Sequence, residues 1–322
     1  MKKIRTVLGD ISPEELGFTD AHEHLIMDKD YVLKLNPDYR LDSVEKTSKE
    51  VRSFMAAGGK AAVEMTCLNF GRNAGKLVEV AKQTGFHVIA STGFHRPQFY
   101  MDSHWRFFYE VDQIAGILIE EIEKGMDQNQ YNGPIIDRSE ARAGVIKIAT
   151  GYFVMKPEDE RVIHAAALAH LKTGAPIFTH TEEGTLGLEQ VKMLGSYGVD
   201  PSHITVGHYD RNPDFHLHHE LAATGCFLQY DTPSRRKYFP ETHFMELVRK
   251  MVEAGHGKQL LWGGDLARQS YQCAYGGAPG LKYILEDFIP RMRQEGFSED
   301  TLADIFVNNP ARALSFLMEG NG

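Results

Sequence analysis

The sequence predicts one α/β domain folded as a closed (β/α)8 barrel. Eight short apolar, β-branched runs bounded by turn residues follow one another along the 322 residues. Amphipathic helical patterns lie between the runs, and several of them end in glycine directly before the next run, as helices often do. Eight alternations of strand and helix are what a closed barrel requires, and a doubly wound sheet is the alternative.

In chain order, the predicted strands cover residues 17–25, 60–66, 87–94, 143–150, 175–181, 203–210, 226–232 and 259–265. The helical patterns include "SVEKTSKEVRSFMAAGG", "AGKLVEVAKQTG", "PEDERVIHAAALAHLKTG" and "FMELVRKMVEAGHG". We expect the segment from Arg96 to Arg142 to form the loop and helix region after the third strand. No proline- or serine-rich linker divides the chain, so residues 1–322 are predicted to form a single domain.

The composition predicts a soluble cytoplasmic protein. A formal net charge of −9 without a basic stripe argues against a nucleic-acid partner. Three cysteines without a CxxC pair favour reduced thiols in the cytoplasm. The basic start "MKKIRTVLGDISPEEL" continues with acidic and turn residues where a secretion signal would be apolar. No run approaches the roughly 18 uninterrupted apolar residues of a membrane span, so no membrane partner is expected.

Two histidines two residues apart, His22 and His24, lie in the first predicted strand within "FTDAHEHLIMD". Residues i and i+2 of a strand point to the same face, so both imidazoles aim at the barrel mouth. With fifteen histidines in the chain, one such pair is expected by chance alone. A second pair, His216 and His218, lies in a predicted helix, where residues two apart diverge, and is expected to be solvated surface.

The first pair has other reactive residues at the ends of neighbouring strands. Lys147 lies inside the apolar strand "GVIKIAT", where an uncompensated ammonium is costly to bury. His180, His208 and Asp265 end the fifth, sixth and eighth strands. The carboxyl ends of barrel strands meet at one face, so these groups are predicted to converge there. The alternative for Lys147 is a salt bridge to an acid such as Glu64 at the end of the second strand.

This mixture of side chains predicts a binuclear metal centre. Neutral imidazole and carboxylate suit zinc first, with manganese, cobalt or iron as alternatives. Burial lowers the pKa of a lysine, and the neutral amine can add carbon dioxide to become a carbamate that bridges two ions. The predicted ligands are His22, His24 and Asp265 on the first ion, His180 and His208 on the second, and carboxylated Lys147 between them. A hydroxide would complete the bridge.

These positions resemble those of the phosphotriesterase family of the amidohydrolase superfamily. The phrases "GFTDAHEHL", "TVGHYDRN", "LWGGD" and "NNPARAL" are similar to that family's own, and the resemblance covers about residues 8 to 316. It implies a binuclear-metal TIM barrel that hydrolyses esters, including phosphotriesters and lactones, often as a homodimer. Loops decide the substrate on such a barrel, so the family alone does not identify it.

Three loop residues narrow the predicted substrate. Lys237 follows the seventh strand, and Arg268 and Tyr271 follow the eighth, which is the usual phosphate corner of this fold. Their arrangement resembles the branch of the family that acts on phosphorylated sugar lactones. The alternatives are that they are solvated loop charges, or that Arg235 or Arg236 replaces Lys237.

The expected reaction is the opening of a phosphorylated sugar lactone by a metal-bridging hydroxide. Asp265 would take the proton from that hydroxide and pass it to the departing ring oxygen, or would be a structural ligand only. A phosphotriesterase or an acyl-lactone hydrolase of the same family, with a non-phosphorylated substrate, is the alternative. His95, near the end of the third strand, stands where some lactonase members carry a tyrosine, and either packing or substrate contact is open to it.

Overall fold

The computed structural model describes residues 2–235 and 237–317, and its centre is an eight-stranded parallel sheet. An N-terminal antiparallel hairpin, β1 (Ile4–Thr6) and β2 (Gly9–Ile11), precedes it and was not predicted. The sheet comprises β3 (Thr19–Glu23), β4 (Ala61–Glu64), β5 (His87–Gly93), β6 (Val145–Ala149), β7 (Ile177–His180), β8 (Ile204–Gly207), β9 (Phe227–Tyr230) and β10 (Leu260–Trp262). Each of the eight predicted strands is therefore confirmed.

The strands lie in chain order from β3 to β10, and every neighbouring pair is parallel. The two edges meet through the segment after β10. There the Asp265 amide donates to the His22 carbonyl at 2.8 Å, and the Gly264 amide donates to the Asp20 carboxylate at 3.1 Å. The predicted barrel is confirmed, and its seam passes beside the HxH pair.

Helices surround the barrel where the periodicity predicts them. They are α1 (Val32–Leu35), α2 (Val44–Ala56), α3 (Ala74–Thr84), α4 (Val111–Glu123), α5 (Pro157–Thr173), α6 (Gly187–Ser196), α7 (Phe215–Ala222), α8 (Glu241–Glu253), α9 (Ile289–Gln294), α10 (Glu299–Ala303) and α11 (Asn309–Ala313). Single π-helical segments, Ile284–Phe288 and Asp304–Asn308, precede α9 and α11. Gly85 and Gly174 end α3 and α5 in the left-handed region, as predicted.

Two apolar layers hold this architecture together, one inside the barrel and one between the strands and helices. On β6, Val145 faces the inner layer, whereas Ile146 and Ile148 face the helices. Because side chains alternate along a strand, Lys147 shares the inward side with Val145. His180 shares the side of Phe178, another inner-layer residue, for the same reason. Strand periodicity thus aims polar groups inward at the carboxyl ends of the strands.

The second histidine pair behaves differently from the prediction. It lies in α7 as expected, but His218 is buried. Its Nδ1 contacts the Tyr230 hydroxyl at 2.7 Å, and its Nε2 contacts the Asn212 carbonyl at 2.8 Å. The prediction of a solvated pair is wrong for His218, because this face of α7 packs on the barrel.

No helix within the described part of the chain is both long and apolar enough to cross a lipid bilayer.

Candidate metal centre

The predicted site residues line one cavity of about 280 Å³ at the carboxyl ends of the strands. The side chains that face it include His22, His24, Lys147, His180, His208, Lys237, Asp265, Arg268 and Tyr271, together with His95. The structure therefore brings together every residue that the sequence pattern selected. The sequence pattern does not predict which hydrogen-bond partners orient each of these side chains.

The first half of the centre is formed by His22, His24 and Asp265. The Asp265 Oδ1 atom lies 3.7 Å from His22 Nε2 and 3.3 Å from His24 Nε2. Each imidazole is held through its other nitrogen, since His22 Nδ1 contacts the Gln229 amide oxygen at 2.9 Å and His24 Nδ1 contacts the Thr66 hydroxyl at 2.8 Å. Metal-binding histidines are commonly oriented in this way. These three residues form a group that could hold one divalent ion.

The second half is formed by His180 and His208, whose ring centroids are 4.4 Å apart. His208 Nδ1 lies against the Asp231 carboxylate, and His22, His208 and Asp231 form another group able to hold an ion. His180 Nε2 contacts a carboxylate oxygen of Glu182 at 2.9 Å. Burial lowers the pKa of His22, His180 and His208 well below the usual range, so these imidazoles are neutral, as metal ligands must be.

Lys147 is buried between these groups and is not paired with an acid. Among the residues that the structure describes, no hydrogen-bond acceptor contacts its ammonium group, and burial lowers its pKa to about 8. The alternative of a salt bridge to Glu64 is wrong. That carboxylate instead accepts hydrogen bonds from the backbone amides of Leu25 and Thr66. A neutral amine is therefore accessible at Lys147.

Backbone geometry at two strand ends places the outer ligands. His208 and Asp265 have left-handed φ angles of 62° and 47°, which are uncommon outside glycine and cluster at functional sites. The two glycines before Asp265 allow the segment to lie directly on β3. A Cβ atom at Gly264 would stand 2.0 Å from a Glu23 carboxylate oxygen, and one at Gly263 would stand 2.6 Å from the His22 amide nitrogen. The "GGD" phrase is thus a steric requirement of the site.

Two buried carboxyl groups fix this segment to the HxH strand. Asp20 accepts from the backbone amides of His22 and Gly264, both at 3.1 Å, and Glu23 accepts from the amide of Leu266 at 3.0 Å. Burial raises the pKa of both groups, that of Asp20 to about 7. Each therefore acts as a backbone acceptor behind the metal ligands and lies outside the cavity lining.

The other oxygen of Asp265 is bound by two arginines. Oδ2 accepts from Arg211 at 2.9 Å and from Arg235 at 2.8 Å. Arg235 also donates to the backbone carbonyls of Gly264 and Asp265. Burial raises the pKa of the Asp265 carboxyl, but the Arg235 charge and the hydrogen bond from His24 outweigh burial and hold the pKa well below its usual range.

The predicted phosphate residues occupy one side of the cavity. The Arg268 guanidinium lies 5.2 Å from the ring centre of Tyr39 and 5.7 Å from that of Tyr271. Lys237 is exposed, and partial burial together with the charges of Arg235 and Arg268 lowers its pKa. Tyr39, from the loop after β3, is a contributor that the sequence pattern did not select.

Arg235 does not share the position of Lys237. Its side chain is buried and its guanidinium is bound to the Asp265 segment, so its distal nitrogens are occupied. Arg236, the other alternative to Lys237, lies outside the described residues.

His95 both packs and lines the cavity. Its Nδ1 accepts a hydrogen bond from the Arg96 amide at 2.7 Å. Its ring stacks on Phe70 with centroids 4.7 Å apart and contacts the ring of His180 at 4.5 Å. This residue therefore supports a predicted metal ligand and faces the substrate space as well.

Several residues that contact the predicted ligands or line the cavity were not predicted from the sequence. Asp231 directly follows β9, so the rule that selected the other strand-end residues would have selected it too. Gln229 lies inside β9, and its amide nitrogen donates to Asp231 at 3.0 Å while its oxygen contacts His22. Arg96 lies in the loop after β5 and Arg211 ends a short 3-10 helix after β8, and the sequence carries no signal of their partners.

Comparison with known proteins decides the family. Residues 2–314 match the model of the phosphotriesterase family. The chain belongs to the phosphotriesterase family. A phospho-furanose lactonase from Mycoplasmopsis synoviae is 38% identical, over 98% of this chain and 92% of that protein.

Two crystal structures are also similar. An amidohydrolase from Mycoplasma synoviae has a TM-score of 0.96 at 37% identity, covering 99% of this chain and 94% of the other. A lactonase from Listeria monocytogenes has a TM-score of 0.91 at 32% identity, covering 98% and 100%. The resemblance seen in the motifs is confirmed, and the protein is an ester-hydrolysing enzyme of a family whose members depend on two metal ions.

We expect the hydrogen bonds from Arg235 to the Asp265 segment to contribute measurably to the free energy of unfolding. Arg235→Met removes the donor of the buried Gly264 carbonyl and one of the donors of the Asp265 carbonyl and carboxylate, which costs about 1–3 kcal/mol of unfolding free energy. Urea denaturation of the metal-free protein measures this. Lys237→Met, in the same loop but exposed, is the control and leaves the free energy unchanged. Equal effects of the two substitutions would contradict the buried role of Arg235.

Proposed function

We propose that this protein is a binuclear metal-dependent lactonase that opens the ring of a phosphorylated sugar lactone. The proposal depends on one observation. The histidine-rich set of proposed metal ligands lines the same cavity as Lys237, Arg268 and Tyr271. The similarity to the phospho-furanose lactonase of Mycoplasmopsis synoviae and to the lactonase of Listeria monocytogenes supports both the ester bond and the phosphate.

The residues fit a pair of divalent ions. His22 and His24 would hold the first ion with Asp265, and within the described residues the ring nitrogens that face Asp265 have no partner other than that carboxylate. His180 and His208 would hold the second. The His180 Nδ1 atom is buried and has no hydrogen-bond partner within the described residues, which is unfavourable unless an ion occupies the site.

Lys147 completes the set as a carbamate. Its amine is buried between the two halves, without an acidic partner among the described residues, and its pKa is lowered to about 8 by burial. Carboxylation replaces a buried positive charge with an anion that both ions would attract. Zinc is the proposed metal, because imidazole and carboxylate are its usual nitrogen and oxygen ligands.

When bound, the ions supply Lewis acidity toward the ester carbonyl and bring the pKa of a water molecule towards about 7. The chain supplies the proton path. Asp265 would accept the proton that this water loses as its oxygen bonds to the lactone carbon. The ring C–O bond then breaks, and Asp265 returns the proton to the departing oxygen, so that water and lactone become a hydroxy acid.

The basic residues orient the substrate from its far end. Lys237 and Arg268 would neutralise the phosphate, and the Tyr271 hydroxyl would donate a hydrogen bond. The rings of Tyr39 and Tyr271 lie close to the Arg268 guanidinium and limit the positions that it can occupy. Binding energy at the phosphate can thus be used to place the ring carbonyl for attack.

The charge of the cavity argues against a neutral substrate. Two of the cations that line it, Lys237 and Arg268, have no acidic partner among the described residues, whereas Arg96, Arg211 and Arg235 are paired with Glu182 or Asp265. Phosphotriesters and acyl lactones need an apolar pocket, because stripping water from unpaired cations is unfavourable. A singly or doubly charged phosphate is the group that this lining suits.

The phosphate assignment predicts a large preference between matched substrates. A phosphorylated 1,4-lactone is hydrolysed with kcat/KM at least about a hundredfold above its dephosphorylated analogue, since two charged contacts contribute about 3 kcal/mol or more. Steady-state assays with both compounds measure the ratio.

Lys237→Met and Arg268→Met should lower that ratio, whereas Lys250→Met, an exposed lysine on α8, should leave it unchanged. Equal rates on the two lactones by the wild-type enzyme would remove the reason for assigning these residues to phosphate.

The role of Asp265 predicts a separation between metal content and turnover. In Asp265→Asn the amide oxygen still reaches the first ion, but it cannot carry the proton, so kcat falls by about 10²–10⁴-fold. Elemental analysis and steady-state kinetics on the same sample test this. A variant that holds both ions and turns over at nearly the wild-type rate shows that Asp265 is only a ligand.

A further inference from the structure

Two short 3-10 helices meet at the side of the cavity where the proposed phosphate-binding residues lie. The first, Pro37–Tyr39, belongs to the loop after β3, and its last residue lines the cavity. The second, Gln269–Tyr271, follows β10. Arg268 directly precedes this second helix, Tyr271 ends it, and both side chains line the cavity. The place of the proposed phosphate-binding residues therefore depends on how the two short helices are held.

Asp38 and Ser270 join the two short helices directly. Asp38 Oδ1 accepts a hydrogen bond from the Ser270 amide at 3.1 Å, and Asp38 Oδ2 accepts one from the Ser270 hydroxyl at 2.6 Å. The side-chain amide of Gln269 also donates to the backbone carbonyl of Arg40. Three hydrogen bonds therefore fix the position of each short helix relative to the other.

The short helix that carries Asp38 is supported from its own loop as well. The Asn36 side-chain oxygen accepts from the Asp38 amide at 3.0 Å, and the Asn36 carbonyl accepts from the Tyr39 amide at 3.1 Å. At the base of the loop, Met27 and Leu41 exchange two backbone hydrogen bonds of 3.0 and 3.1 Å. The Asp38 carboxylate is thus presented to the loop after β10 from a fixed position.

The Arg268 guanidinium lies against aromatic rings. It is 5.2 Å from the ring centre of Tyr39 and 5.7 Å from that of Tyr271, and no carboxylate among the described residues forms an ion pair with it. Burial lowers the pKa of Arg268, but nearby groups that include Tyr39 and Asp38 outweigh burial and raise it. Asp38 is therefore close enough for its charge to act on the guanidinium. Considered as a charge alone, this carboxylate opposes the binding of an anion.

We propose that Asp38 is a positioning residue for the phosphate of the substrate, although its own charge repels phosphate. By holding Ser270 it aligns the two short helices, so that the ring of Tyr39 keeps the Arg268 guanidinium directed into the cavity. The repulsion is small because the carboxylate is partly exposed, where water and salt screen its charge. This inference rests on the proposed function, and it adds that the loop after β3 determines the preference for phosphate through a residue that binds none.

The first test measures the phosphate preference, which is kcat/KM for a phosphorylated 1,4-lactone divided by kcat/KM for its dephosphorylated analogue. In Asp38→Ala this ratio should fall about 3–10-fold, because two hydrogen bonds between the short helices are lost. The fall should come from a higher KM for the phosphorylated lactone, with kcat/KM for the dephosphorylated one unchanged. Asp38→Asn should restore most of the ratio, because its amide can accept from the Ser270 amide and donate to the Ser270 hydroxyl.

Asp42→Ala is the matched control, since Asp42 lies in the same loop and carries the same charge but contacts Arg40, at 3.6 Å. It should leave the ratio unchanged. A ratio that stays the same or rises in Asp38→Ala would overturn the proposal. Equal ratios in Asp38→Ala and Asp38→Asn would overturn it too, because they would show an effect of charge alone.

The second test asks whether Asp38 acts through Arg268. In an Arg268→Met background, Asp38→Ala should change the ratio no further, since the two substitutions then remove the same contribution. A further fall of the ratio in the double variant would contradict the proposed route.

The same measurements separate this inference from the proposed function. A wild-type enzyme that hydrolyses both lactones equally well would overturn the proposed function and this inference with it. A wild-type preference that Arg268→Met lowers and Asp38→Ala leaves intact would overturn this inference alone.

Discussion

A lysine that is buried inside the barrel, with no acidic partner among the described residues, is the constraint on which the rest of the site depends. Lys147 points inward because it alternates with Ile146 and Ile148 on β6, and it lies almost fully buried at the base of the cavity. A buried ammonium is unfavourable unless it is paired or loses its charge. The arrangement is favourable when the amine becomes an anion between two cations, and the surrounding neutral imidazoles are the ligands such cations need.

The proposed metal ligands and the proposed phosphate-binding residues are joined by direct contacts. Asp265 turns one oxygen to the histidines and the other to Arg211 and Arg235. Arg235 also lies 5.6 Å from the ring centre of Tyr271, the proposed donor to phosphate. At the barrel seam between β3 and β10, one continuous set of contacts therefore joins a proposed metal ligand, the arginine that holds it and the proposed phosphate-binding residues.

The strands and the site residues could be predicted from the sequence, because both follow from its regular pattern of apolar runs. Short apolar runs identified the eight strands, and strand-end position identified His180, His208 and Asp265. The spacing of His22 and His24, and the place of Lys147 inside an apolar strand, identified the other proposed ligands. The partners of these residues could not be predicted in the same way, because the sequence does not show which side chains of other strands and loops the folded barrel brings against the histidines and Asp265, as it does Gln229 and Arg211. Similarly, burial of His218 depends on which face of α7 meets the barrel, and the short helix pattern did not define it.

The left-handed backbone conformation of His208 and Asp265 is another feature that could not be predicted from the sequence. No local sequence signal requires it, and only at Asp265 does it lie beside the two glycines of the seam. The strands thus form the scaffold, and we expect the loops after them to determine the substrate.

The most direct test of the central claim is a crystal structure with anomalous diffraction data, from protein crystallised with zinc and bicarbonate. We expect two anomalous peaks per chain, one beside His22 and His24 and one beside His180 and His208, joined by a carboxylated Lys147. An unmodified Lys147, with one peak or none in the cavity under these conditions, would contradict the account.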